Sequence, residues 1–147
     1  MFKKIIYIAV LLFSLEVSAC RCFPNETLQA EFDETEIIAN GKVIGKEVLE
    51  NSDLLKITFE ARVIYKGKEI KNDIIIYTPK SNAACGYLEF EVGKEFIVFL
   101  SKEKELHYKF EKIKESQGGE NIFWTTHCTW TNLYTDDLHS ELCELLE

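Results

Sequence analysis

The sequence predicts a mainly β domain, an antiparallel barrel of five to six short strands followed by a C-terminal helix. Three observations carry that expectation. Leu54–Tyr65 alternates apolar and polar residues, a β-branched run at Glu36–Leu49 is punctuated by glycines, and the tail switches to helical spacing. The chain has 147 residues, enough for one domain with a real core, and no repeat, low-complexity run or linker divides it.

The elements follow in order. Residues 23–35 begin polar and turn-like, with a short helix over Thr27–Glu34. In Glu36–Leu49, Ile37, Ile38, Val43, Ile44 and Val48 are interrupted by Asn40-Gly41 and Gly45. Glycine inside a strand pattern marks a bulge or sharp bend, as when a sheet coils. In the next strand Leu55, Ile57, Phe59, Ala61, Val63 and Tyr65 are expected on one face, opposite Lys56, Thr58, Glu60 and Arg62. After the turn Lys66-Gly67-Lys68 comes a short strand in Asp73–Thr78, ended by Pro79. Phe96–Leu100, Leu106–Ile113 and Asn121–Thr126 complete the strands, with a turn at Gly118-Gly119. Leu138, Leu142, Leu145 and Leu146 then fall at helical spacing behind Asp136 and Asp137. The pattern fits a closed or partly closed OB-fold-like barrel, with a sandwich as the alternative.

Met1–Ala19 reads as a signal peptide: Lys3 and Lys4, an apolar Ile5–Leu15, and Val17-Ser18-Ala19 before a cut. That run is too short to span a bilayer, which takes about 20 residues. The domain then occupies residues 20–147. Lys+Arg number 17 against Asp+Glu 25, a net charge of −8. This acidic balance argues against nucleic acid or an anionic membrane surface as main partner. With 29% charged and 12% aromatic residues the chain is not a disordered polymer.

Five cysteines in an exported chain make disulfides the default and leave one thiol over. Val17-Ser18-Ala19-Cys20 satisfies ordinary signal cleavage but also looks like a bacterial lipobox. Under the first reading the protein is secreted and Cys20 keeps its amine and a thiol free to pair. Under the second it is a lipoprotein at the cell surface or in the periplasm, both groups of Cys20 carry lipid, and Cys22, Cys85, Cys128 and Cys143 remain. A membrane is a partner only in that case.

His107, His127 and His139 are scattered, without metal-ligand spacing, so the chain needs no cofactor of its own. His127 beside Cys128 fits a thiol catalyst less well than a bridged cysteine. Trp124, Trp130 and the phenylalanines read as core. Asn25-Glu26-Thr27 matches a glycosylation sequon, which counts only on a eukaryotic secretory route. There is no nucleophile elbow, phosphate loop or carboxylate pair to support an enzyme.

Four features stand together: Cys20-Arg21-Cys22, Tyr65-Lys66-Gly67, Tyr77-Thr78-Pro79 with Ala84-Cys85-Gly86-Tyr87, and Thr125-Thr126-His127-Cys128. In order and spacing they resemble the inhibitory N-terminal domain of the tissue inhibitors of metalloproteinases, a netrin-like module, over nearly all of residues 20–146. The resemblance implies disulfides Cys20–Cys85 and Cys22–Cys128, each stabilising by about 4 kcal/mol at most. It leaves Cys143 unpaired, because the early segment offers no partner for a third bridge. It also implies a zinc metalloendopeptidase as partner, contacted through Cys20, Arg21, Cys22, Phe23, Asn82, Ala83, Ala84 and Cys85.

The implied chemistry is direct. A catalytic zinc keeps one position for water. A terminal amine, with a pKa of about 7.7–8.0, is neutral often enough to bind metal. The Cys20 amine and carbonyl oxygen would form a five-membered chelate and displace that water. Arg21 would point into the specificity pocket. Two departures stand out: the family carries a small or hydroxylated residue where Arg21 stands, and Asn82-Ala83-Ala84 replaces acidic and hydroxyl residues. Burying a guanidinium without a partner costs several kcal/mol, so Arg21 calls for a deep acidic pocket. The alternative from another class is a lipid-anchored, non-inhibitory netrin-like binding domain.

Overall fold

A computed structural model describes residues 25–50, 52–68, 70, 73–101 and 122–146. The expected signal peptide, the segment Cys20–Phe23, the strand Leu106–Ile113, His107 and the Gly118-Gly119 turn lie outside the described residues. The chain is mainly β, with six strands and a C-terminal helix among the described residues. The elements are α1 (Leu28–Glu34), β1 (Ile37–Val48), β2 (Leu54–Lys66), β3 (Ile74–Pro79), a single 3-10 turn (Asn82–Ala84), β4 (Glu95–Leu100), β5 (Ile122–Trp124), β6 (Asn132–Leu133) and α2 (Asp136–Glu144). Among the described residues no helix is long and apolar enough to cross a membrane.

The strands form one sheet in the order β5-β3-β2-β1-β4-β6. Every pairing is antiparallel except β3 with β5, which is parallel. Among the described residues the sheet is therefore mixed, and it is not closed into a barrel by a continuous ladder. This corrects the expected antiparallel barrel: a period-2 pattern records which face a residue takes, not the direction of its neighbour. The two ends of the curl still meet at one bridge. Ser101 N–H donates to Trp124 O at 3.1 Å and Trp124 N–H to Ser101 O at 3.0 Å.

Curling comes from β1 and β2. The β1 strand runs through its glycines unbroken, and the pairing slips at three places along it. At Gly41 a Cβ would lie 2.2 Å from the Glu60 carbonyl oxygen, so only glycine permits the close crossing. Two of the slips place an extra residue in β2. Side-chain parity reverses there, so Val63 is 42% exposed rather than inward, while Ile64 packs on the core.

The curled face encloses Val43, Ile57, Phe59, Ile76, Phe96, Val98 and Phe123, with Tyr87 and Phe90 from the segment after the 3-10 turn. Each such side chain contributes about 1.5–3 kcal/mol when fully buried. A second cluster lies on the other face of β1 and β4, where Ile38, Ile97 and Phe99 meet Leu28 of α1 and Leu142 of α2. Both helices start on a threonine. Thr27 Oγ1 accepts from Ala30 N–H at 3.2 Å and Thr135 Oγ1 from Leu138 N–H at 3.3 Å. At the other end of α1, Lys66 Nζ donates to the carbonyls of Phe32 and Asp33, satisfying the helix's last acceptors.

Candidate functional site

Two of the four sequence features, Tyr77–Tyr87 and Thr125–Cys128, converge at one edge of the sheet. Beyond Pro79 the chain turns through Ser81–Gly86. Ala84 and Gly86 N–H donate to Ser81 O at 3.2 and 2.9 Å, and Cys85 N–H donates to Asn82 O at 3.0 Å. Asn82, Ala83 and Ala84 are exposed, so three short side chains project from a closely hydrogen-bonded turn.

Each residue of Cys85-Gly86-Tyr87 has its own reason to be there. Cys85 is left-handed (φ 59, ψ 29), the one non-glycine residue with positive φ among those described. That conformation costs roughly 1–2 kcal/mol and persists because neighbouring bonds fix it. Gly86 runs against the preceding strand, where a Cβ would sit 1.9 Å from Pro79 O. Tyr87 returns inward: its N–H donates to buried Thr78 Oγ1 at 2.8 Å. Its ring packs on Phe90 and Phe96 at 4.8 and 6.4 Å between centroids. Burial, reinforced by the Glu89 carboxylate, pushes its pKa well above the ordinary phenol value.

The Thr125–Cys128 turn is fastened to the same place. Thr125 N–H donates to Tyr77 O at 3.1 Å and His127 N–H to Cys85 O at 2.8 Å. Beneath it lies a run of hydroxyls. Thr125 Oγ1 lies 2.9 Å from both Thr129 Oγ1 and Thr131 Oγ1, and Thr131 Oγ1 accepts from Phe99 N–H at 2.9 Å. This support was not read from the sequence, although Thr125, Thr126, Thr129 and Thr131 stand conspicuously close together. His127 contributes its backbone N–H to the site.

Cys85 and Cys128 are both disulfide-bonded, and not to each other. Cys143 is a free, exposed thiol on α2. Cys20, Arg21, Cys22 and Phe23 lie outside the described residues, so the turn is the visible half of the expected contact surface. Tyr65-Lys66-Gly67 does not join it. Those residues serve the helical face, with Tyr65 against α2 and Lys66 on α1.

The edge offers shape and hydrogen-bonding capacity. Among the described residues no three His, Cys, Asp or Glu side chains gather as metal ligands. What it can do chemically is hold an attached segment rigidly beside an exposed turn. No protein-family model matches the chain, and no curated protein matches it at a significant level.

Proposed function

We propose that the protein is an exported inhibitor similar to the tissue inhibitors of metalloproteinases, blocking a metalloendopeptidase's zinc through the Cys20 amine and carbonyl. The observation that carries this reading is the 2.8 Å bond from His127 N–H to Cys85 O, which sets two disulfide-bonded cysteines side by side under the Ser81–Cys85 turn. Two disulfides at that edge would moor an N-terminal strand with little freedom left to lose on docking. The Arg21 side chain limits the targets to proteases with an acidic pocket.

The thiol inventory supports a free terminus over a lipid anchor. Cys85 and Cys128 are bonded elsewhere than to each other and Cys143 is free, which supports partners at Cys20 and Cys22. A Cys20 thiol spent on a disulfide does not carry a lipid. N-terminal sequencing, intact mass and an inhibition assay test the reading. It expects an unmodified Cys20 amine, and loss of inhibition when one residue is added ahead of it. An acylated Cys20, or inhibition indifferent to the extension, overturns it.

A further inference from the structure

Beside the Cys85–His127 bond lies a cleft of about 420 Å³, within the usual size of ligand sites, roughly 300–1,000 Å³. Two accessible rings, His127 and Trp130, form part of its wall, with the buried Tyr87 ring behind them. They are held in place. Tyr87 is wedged in the core, His127 lies tilted at 32° to it with centroids 6.5 Å apart, and Trp130 Nε1–H donates to Asn25 O at 3.3 Å. A wall fixed in advance loses little side-chain entropy when a guest arrives.

The charge around the rings has one sign. Glu89 lines the cleft, and no lysine or arginine does so among the described residues. An adjoining cleft of about 320 Å³ shares Asn25 and carries Glu31 and Glu34, again with no lysine or arginine among the described residues. Asn25 Nδ2 donates to both carboxylates, at 2.8 and 3.1 Å, and keeps them on that rim. The whole chain adds to this field with its net charge of −8. Aromatic faces and carboxylates both favour a cation. Flat rings beside a carboxylate favour a guanidinium, which stacks and forks, over the compact, strongly hydrated ammonium of lysine.

We propose that this cleft receives an arginine side chain presented by a protein partner. Only the partner's identity rests on the inhibitor reading: the arginine would then stand on the protease surface that meets the Ser81–Cys85 turn.

The probe is N-acetyl-arginine-N-methylamide, titrated into the mature chain while the Trp130 indole and His127 amide resonances are followed. Saturable shifts are expected for this probe and none for the leucine analogue. Glu89→Gln should weaken binding by roughly two- to fivefold, the range for a solvent-exposed ion pair. No saturable shift, or an equal response to leucine or lysine analogues, overturns the proposal. No protease enters the titration, so its failure leaves the inhibitor reading standing, and failure of the N-terminal extension test leaves the cleft standing.

Discussion

Tyr65 Oη and His139 Nδ1, 74 residues apart in sequence, share a short hydrogen bond that fastens β2 to α2. Their rings lie 5.6 Å apart, and the same imidazole reaches toward Cys143 Sγ at 3.9 Å. Burial, with smaller contributions from Cys143 and Tyr134, pushes the Tyr65 pKa up to about 12. The terminal helix is thus held by a polar contact as well as by Leu142.

Tyr65→Phe should cost about 1–2 kcal/mol, because it leaves His139 Nδ1 without its partner while the aromatic packing stays. The pH dependence has a definite sign. The folded-state pKa lies above the unfolded value of 10.0, so this contribution is complete below about pH 10 and is lost as pH rises toward 12. Urea midpoints measured across that range should fall in the native protein and fall less steeply in the variant. The raised pKa of Tyr87 acts in the same direction and supplies a limb that remains.

Gly86→Ala should destabilise by about 1–3 kcal/mol, the usual cost of forcing extra volume into a packed site. The added methyl meets backbone, Pro79 O at 1.9 Å and Ser81 O at 3.0 Å, so no flexible side chain can yield. The Ser81–Cys85 turn must move, and inhibition should fall with it. Thermal unfolding and inhibition assays on the same variant measure both effects; unchanged values in both would show that the turn is not held as described.

The folded protein should present one thiol to a chromogenic thiol reagent, that of Cys143. Cys143→Ser should abolish the signal and shift stability by no more than about 0.5 kcal/mol, as is usual for surface substitutions. A second reactive thiol in the native chain would contradict the bonded state of Cys85 and Cys128.

Arg21→Thr should broaden the range of metalloendopeptidases inhibited, since a short hydroxyl side chain enters apolar pockets that exclude a guanidinium. Inhibition constants against a panel of enzymes with apolar and acidic pockets check this. An unchanged profile would count against insertion of this side chain.

The sequence carried most of the elements, because local periodicity and turn chemistry are local facts. Strands β1 to β5 lie close to the expected spans, α1 falls within the expected Thr27–Glu34, and α2 starts at the Asp136-Asp137 pair that favours a helix start. What it could not carry was pairwise geometry. The Val63 side chain turned outward because the extra residues in β2 reversed its face, an event decided by its register with β1. The two-residue β6 is too short to show a period, and the parallel run of β3 beside β5 leaves no mark on composition. At the site, Cys85-Gly86-Tyr87 was legible as a motif. The backbone bond from His127, and the hydroxyls beneath it, emerged only when distant segments met.

The single Ser101–Trp124 bridge has a consequence for how the protein can assemble. Three-residue β5 gains neighbours on both sides only when β3 and the end of β4 already stand in place. It is therefore suited to be a late addition to a curl that β1–β4 establish. Weakening the Ser101–Trp124 bridge should therefore loosen β5 while leaving the β1–β4 ladders paired.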